Sequence, residues 1–515
     1  MMPGKLSKKM LLATLSGVML TASFPPAQMS WMAWFALVPL LKSLEGESAS
    51  SAFRLGFITG LAHYLTLIYW IINAISAYGD LSLATSCAVL LLLCLYLSLY
   101  QGIFSIIVIR LKGFSFRSFM TAGVWVSLEY LRGTLLTGFP WCLLGYSQFS
   151  SIKLIQMADI AGVYGISFLI LMTNALIFLL LFHDEPSLGK KFQRLEAIFL
   201  IGLMIITVLY GDYRLSRDIS RPGDEPMGIA IVQGNIDQSV KWDEDYQDKT
   251  LSLYTSLTQI TYTFKPRLIV WPETSVPLYF QDHFEPVEQI YKIPTESGAH
   301  IIFGSPAYKR EGGEIKYFNR AYFLSTTGAT SYYDKVHLVP FGEYVPLKRF
   351  LPFVNRLVQA AGDFSSGKDI VPLRAEDLVL GPLICYEAIF PELARTHVKK
   401  GAEILVNLTN DAWYGMTSAP YQHLIMSVFR AVENRRPLIR AANTGFSAFI
   451  DPYGRITLIG TLFSEEVLMG EIEAGSNFLT FYSRYGDIFI YIILLLCLIK
   501  FLPGLCYHLL KTRSN

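Results

Sequence analysis

Charge is scarce in this sequence. Of 515 residues only 16% are Asp, Glu, Lys or Arg, against 52% that are hydrophobic, where soluble globular chains carry roughly 25% charged residues. That shortage excludes an ordinary soluble domain and points to a chain that shares its length with a lipid bilayer. No excess of one sign exists either: 43 basic and 41 acidic residues leave a net +2. No basic patch interleaved with aromatics occurs, so nucleic acid is not a partner. Repeats and low-complexity tracts are also absent. Cysteine is sparse: Cys87, Cys94, Cys142, Cys497 and Cys506 fall in or beside apolar segments, and Cys385 is alone in the polar part. That excludes an intradomain disulfide there, and without clustered histidines it leaves no zinc site.

Long apolar runs are what the sequence has. Residues 81–109 carry no charge and exceed the ~20 residues that cross a bilayer. Residues 55–77 and 161–182 also qualify, as does 488–499 with its flanks. Residues 118–137 are apolar except for Glu129 and Arg132, three apart and so on one helix face; they are either a functional intramembrane pair or a structural one. Shorter runs at 10–24, 29–41 and 197–210 complete eight spans, with Pro25 and Pro26 as a turn between the first two. The first run could be a signal peptide, and we take it as a retained helix. Alternate connectors hold the basic residues: Lys5, Lys8 and Lys9; Lys42 and Arg54; Arg110, Lys112 and Arg117; Lys190, Lys191 and Arg194; Lys500, Lys511 and Arg513. That asymmetry predicts cytoplasmic termini and an extracytoplasmic segment 212–480.

Charge returns in that segment. Residues 220–475 alternate short β-rich runs with polar or helical stretches, which predicts an α/β domain of roughly 250 residues with sheets covered by helices. Strands are expected at 228–233, 267–271, 300–304, 321–325, 379–385 and 403–408, and a helix at 421–434. The expected layout is a membrane domain at 1–211, the α/β domain at 220–475 and a last helix at 481–507.

Three of these runs deliver reactive side chains to loops. "LIVWPET" stops as a strand at Pro272 and delivers Glu273 to the next loop, "YYDKVHLVPFGEYVP" holds Lys335 and Glu343, and in "LICYE" the strand ends with Cys385, followed by Tyr386 and Glu387. Each residue alone has a bland reading: an exposed lysine, solvated carboxylates, an inert buried cysteine. A carboxylate beside a thiol makes the thiolate harder to form, so a catalytic Cys385 needs a compensating cation. Thiol proteases pair cysteine with histidine, but His337 and His423 sit in no such signature.

With "VQGNI", "WPETSVP", "KVHLVPFGEYVP", "ICYEAIFPE", "NLTNDAWYG" and "RAANTGFSAFIDPYGR", the order Glu–Lys–Cys resembles the nitrilase, or carbon–nitrogen hydrolase, superfamily. The resemblance implies an extracytoplasmic α-β-β-α sandwich carried on about eight transmembrane helices. It implies Glu273 as general base, Lys335 as oxyanion stabiliser and Cys385 as nucleophile. Glu343, Tyr386 and Glu387 support them, and Trp242 in "QSVKWDE" handles substrate. No cofactor or metal is implied.

The membrane-anchored branch it resembles performs acyl transfer in bacterial lipoprotein maturation. That implies a phospholipid acyl donor, phosphatidylethanolamine at sn-1, and a diacylglyceryl-modified apolipoprotein as acceptor, at the bacterial inner membrane. The alternatives are a membrane-anchored amidase and a multispan transporter with an inactive external domain. Two stretches could guide lipid: 347–362, "LKRFLPFVNRLVQAAG", as an interfacial arm, and 136–149, "LTGFPWCLLGYSQF", as an aromatic rim.

Overall fold

A computed structural model of the protein describes residues 3–78, 82–182, 187–217, 225–282, 285–344, 364–375, 378–473 and 478–512. The expected interfacial arm at 347–362 lies outside the described residues. The chain forms two compact units: Met1–Tyr69, Ala88–Ser216 and Tyr485–Asn515 make the first, and Trp70–Cys87 with Arg217–Arg484 the second.

The first unit is helical. Among the described residues three helices are long and apolar enough to cross a membrane: Leu83–Arg110, Ala158–Phe182 and Gly189–Leu215. Helices Pro3–Ala22, Ala49–Leu67, Arg117–Thr134 and Ile488–Thr512 accompany them. Two expected spans take another form. Residues 29–41 give a 3-10 turn, Ser30–Trp34, and a short helix, Val38–Ser43, because Pro39 fits only the first turn of a helix. The run 55–77 breaks after Leu67, and its second part, Ile71–Tyr78, joins the second unit.

Glu129 and Arg132 do not pair. Glu129 Oε1 accepts from the Leu144 N–H at 2.7 Å, and Arg132 donates to the Trp141 carbonyl at 3.0 Å. Each satisfies backbone of the loop that follows their helix, a structural use of charge in an apolar setting. Of the aromatics of 136–149, Trp141 and Tyr146 are fully buried and Phe139 and Phe149 half-buried, while Leu136 and Thr137 are exposed. Two rings of that loop thus serve as core, and two remain at its surface.

The second unit carries twelve strands among the described residues: β1 (Met227–Gln233), β2 (Leu268–Val270), β3 (His300–Glu311), β4 (Glu314–Leu324), β5 (Thr330–Asp334), β6 (Leu373–Ala375), β7 (Leu378–Ile384), β8 (Ile404–Thr409), β9 (Leu438–Ala442), β10 (Ala448–Ile450), β11 (Ile456–Ile459) and β12 (Glu466–Ile472). They form two six-stranded sheets, ordered β12-β1-β2-β3-β4-β5 and β11-β10-β9-β8-β7-β6. In each, three strands run parallel: β1, β2 and β3 in one, β7, β8 and β9 in the other.

Alternation along the strands decides the layers. Ile229 and Ile231 of β1 join Leu268, Val270, Leu380, Ile404 and Val406 in the core between the sheets. Ala230 and Val232, one residue out of step, pack with Leu251, Tyr254, Val287 and Ile290 of helices Glu244–Ile260 and Glu285–Ser297. Helices Pro391–Lys399 and Ala419–Asn434 cover the other sheet. The result is a four-layer helix–sheet–sheet–helix sandwich. Polar side chains converge where the parallel strands end, the usual place for chemistry on such sheets.

Candidate active site

Glu273 lies in the turn after β2, 6% exposed. The turn can lie flat on β3 because residue 304 is glycine: a Cβ there would come within 2.3 Å of the Thr274 nitrogen and 2.8 Å of the Glu273 Cα. Gly304 N–H also donates to the Pro272 carbonyl at 3.1 Å, fixing the approach. The Glu273 carboxylate accepts from Asn319 Nδ2 at 2.7 Å and from the Asn410 N–H at 2.9 Å. Both donors bond only the oxygens, so they set the carboxylate's orientation.

Lys335 follows β5, its own N–H bonded to the Asn319 carbonyl at 2.8 Å. Its Nζ donates to Glu343 Oε1 at 2.9 Å and stands 3.5 Å from Glu273 Oε1. The side chain is 1% exposed. Burial works against the ammonium, but Glu343 and Glu273, with Cys385 beyond them, outweigh it and raise its pKa above the ordinary lysine value. Lys335 is a fixed positive charge. Glu343 is held in turn by Asn319 Nδ2 at 2.9 Å and the Val339 N–H at 2.8 Å.

Cys385 is the first residue of the turn Cys385–Ile389 after β7 rather than the last of the strand. Its φ is +51°, a left-handed conformation that costs a non-glycine residue energy and recurs where a nucleophile is turned out of a strand end. Two side chains hold it. Asn407 Nδ2 donates to the Leu383 carbonyl at 2.9 Å and the Cys385 carbonyl at 3.4 Å, while His423 Nε2 stands 3.1 Å from that same carbonyl. His423 therefore serves the backbone of Cys385. Its other nitrogen faces Asp411 at 3.0 Å, and Asp411 binds Arg440 at 2.7 Å, all fully buried. Burial pushes the Cys385 thiol up, and Glu273 pushes it further, against the pull of Lys335. The resting group is a thiol that a base must deprotonate during attack.

Glu387 is fully buried and acts on geometry. Its Oε1 accepts from Tyr333 Oη, Val336 N and His337 N at 2.9, 2.7 and 3.0 Å, and its Oε2 from Ile384 N at 2.7 Å. One carboxylate thus ties the backbone just after Lys335 to the backbone just before Cys385. Glu387→Gln replaces one acceptor oxygen by a donor and strands at least one buried N–H. The expected cost is about 1–3 kcal/mol, read as a lower urea midpoint.

The ring of Tyr386 packs edge-on against Phe390 at 5.1 Å. His337 lies 3.7 Å from the Phe390 ring, and burial, then Lys335, lower its pKa to about 4. It stays neutral at physiological pH. Trp242 is 49% exposed and stands outside the buried polar group. Among the described residues no cluster of three or more His, Cys, Asp and Glu is arranged to hold a metal.

Sequence reasoning missed Asn319, Asn410 and Lys241. Asn410 stands in "NLTNDAWYG", and Asn319 in "YFNRAYF" interrupts a β pattern where an apolar residue fits better. Lys241, 1% exposed, donates to the Glu273 carbonyl at 3.2 Å; a lysine two residues before an aspartate gives no sign of burial.

A sandwich of this kind, with carboxylate, ammonium and thiol at its strand ends, defines the carbon–nitrogen hydrolase class, and residues 228–476 match the carbon-nitrogen hydrolase family model. Residues 16–176 match the apolipoprotein N-acyltransferase N-terminal domain. Over its full length the chain is similar to the apolipoprotein N-acyltransferase of Geobacter metallireducens, 44% identical across 93% of this chain and 92% of that one. Those of Pasteurella multocida and Methylococcus capsulatus are each 32% identical, covering 96% and 93% of both partners respectively. The chain belongs to the apolipoprotein N-acyltransferase family.

Proposed function

We propose that this protein N-acylates lipoproteins through a thioester on Cys385. The supporting observation is the burial of one thiol with one base and one fixed cation. Cys385 is the only cysteine in 217–484, and Glu273 and Lys335 share its buried strand-end site.

In the first half-reaction the Cys385 sulfur attacks the sn-1 ester carbonyl of a phospholipid, phosphatidylethanolamine being the donor we favour. Glu273 takes the thiol proton, and charge moves from sulfur to the carbonyl oxygen. Lys335 and the N–H of Tyr386 stabilise that oxyanion. The C–O bond then breaks, and the leaving lysophospholipid oxygen takes the proton back from Glu273. In the second half-reaction the neutral α-amine of a diacylglyceryl-modified N-terminal cysteine attacks the thioester. Glu273 accepts the amine's proton and returns it to sulfur as the C–S bond breaks. An amide and a free thiol result. The scheme is ping-pong because one sulfur serves both steps. Water must be kept away, or the acyl group is lost to hydrolysis.

The basic connectors support cytoplasmic termini in a bacterial inner membrane, with the sandwich on the extracytoplasmic side. That side is where translocated lipoproteins present their N-terminus. The deciding experiment incubates the purified protein with acyl-labelled phosphatidylethanolamine and no acceptor. The expected result is label on the peptide bearing Cys385, discharged by a diacylglyceryl-cysteine peptide. Label that never attaches, or attaches without transfer to the amine, defeats the reading.

A further inference from the structure

Beside Glu273 stands a buried lysine that the scheme above does not use. Lys241 stands in the loop between β1 and the helix Glu244–Ile260, and that loop is fastened to the site at several points. Ile236 exchanges hydrogen bonds with the Asn443 side chain at 2.8 and 2.7 Å. Gln238 Oε1 accepts from Asn410 Nδ2 at 2.6 Å, and Asn410 is the residue whose N–H holds Glu273. Lys241 Nζ itself donates to the Glu273 carbonyl at 3.2 Å. The neighbouring Trp242 turns out to solvent while Lys241 turns in.

An ammonium has three N–H donors, and desolvating one costs several kcal/mol unless charge repays it. Here one donor goes to a neutral carbonyl, so the compensation has to be electrostatic. The titratable groups facing Lys241 are Glu273, in the loop after β2, and Cys385, at the end of β7. The other lysine, Lys335, is already shared between Glu343 and Glu273. Glu273, Glu343 and Lys335 together carry −1, and that charge passes to sulfur when Glu273 takes the thiol proton. With Lys241 included the sum is zero.

We infer that Lys241 is a positioning residue of this site: held on the Glu273 carbonyl, its ammonium supplies the second positive charge beside which the Cys385 thiolate forms. The inference rests on the reading of Cys385 as nucleophile and Glu273 as its base. Burial lowers the Lys241 pKa to about 8, with Glu273 and Cys385 pulling the other way. The side chain is therefore charged at pH 7 and loses that charge on moderate alkalinisation.

The test is alkylation of Cys385 by iodoacetamide in the full-length, detergent-solubilised protein, followed from pH 5.5 to 9.5 by mass spectrometry of the Cys385 peptide. Removing a positive charge raises the thiol pKa. Lys241→Met should alkylate about tenfold more slowly at pH 7, with its pH profile displaced upward by about one unit, the displacement equivalent to that factor. Lys241→Arg keeps the charge and should follow the native profile at pH 7. A Lys241→Met profile superimposable on the native one overturns the inference, even if melting shows a general loss of stability. Should that variant not fold, Lys241→Gln is measured in its place, and a native profile there overturns the inference. Iodoacetamide needs no lipid donor. Failure to form a lipid thioester would remove the proposed reaction and leave this result standing, and an unshifted alkylation profile would do the reverse.

Discussion

Cys385→Ala is expected to form no acyl-enzyme and to lower N-acylation by about 10⁶-fold, the scale on which a covalent catalyst loses its nucleophile. The reason for confidence in a purely chemical effect lies in the backbone. Cys385 sits at φ +51°, and alanine has the same Cβ, so the variant inherits the strain without adding to it. The side chain is 7% exposed and belongs to the core between the sheets. Removing a single sulfur atom from such a core costs about 1 kcal/mol, the order of one buried methylene. The contacts that fix the turn all go to other atoms: His423 and Asn407 to the Cys385 carbonyl, Glu387 to the Ile384 N–H. Melting should therefore fall by only a few degrees while acylation disappears. Cys385→Ser sharpens the test. Serine keeps the shape, but its hydroxyl is far less acidic than a thiol, and an ester on it is a poorer acyl donor to an amine than a thioester. It should label slowly and, once labelled, fail to discharge to the acceptor. An alanine variant that still transfers acyl groups at a measurable fraction of the native rate would mean that donor and acceptor react directly in the site.

How much of this was legible beforehand depends on which interaction wrote each feature. The strands buried on both sides announced themselves: β1, β7 and β8 are mostly apolar runs, and their predicted limits fall within a residue or two of Met227–Gln233, Leu378–Ile384 and Ile404–Thr409. The β3–β4 hairpin did not. Its core-facing ends were expected, but its outer half carries Lys309, Arg310, Glu311, Glu314 and Lys316, charges that hide the period-two pattern where both faces meet water. The local signal was the Gly312–Gly313 pair, both at positive φ, a hairpin turn that outranks the charge around it. The helix break after Leu67 was equally silent, because Ile71–Tyr78 is apolar enough to read as a continuation.

The site divides in the same way. Glu273, Lys335 and Cys385 carry chemistry that a motif can announce. Asn319 and Asn410 act by geometry, each bonding the Glu273 carboxylate proposed as the base from an element distant in sequence, and only the folded sheet brings them near. Glu387 was expected to shape the site, and its four donors show by what contacts it can. His423 was weighed as a partner for the thiol; it meets the carbonyl of the same residue instead.

Lys335→Met should be nearly as damaging as loss of the thiol, and for a reason that stability measurements can isolate. In the native site the Lys335 ammonium separates the buried carboxylate of Glu273 from the half-buried one of Glu343, and the two share one amide donor: Asn319 Nδ2 reaches Glu273 at 2.7 Å and Glu343 at 2.9 Å. Methionine fills the same volume without the charge. Two carboxylates so close repel each other, which favours uptake of a proton by one of them. If Glu273 takes it, the base is lost, worth about 10²–10⁴-fold. The oxyanion loses a cation in any case, worth about 10²–10³-fold. Together they predict a fall of about 10⁵-fold in thioester formation. Stripping the cation from a buried ion pair also destabilises by about 3–5 kcal/mol, and here the sign of the pH dependence is diagnostic. Acidification neutralises carboxylates and so relieves the repulsion between two that have lost the cation between them. Relative to the native protein, Lys335→Met should therefore melt closer to normal at pH 5 than at pH 7.5. A second change, Glu343→Gln in the same chain, removes one of the two competing charges. It should restore much of the stability at pH 7.5 while leaving acylation lost, because neither the cation nor the oxyanion's partner has returned. Recovery of activity together with stability would show that Lys335 only neutralises its neighbours, and the stabilisation of the tetrahedral intermediate would then have to come from backbone N–H groups alone.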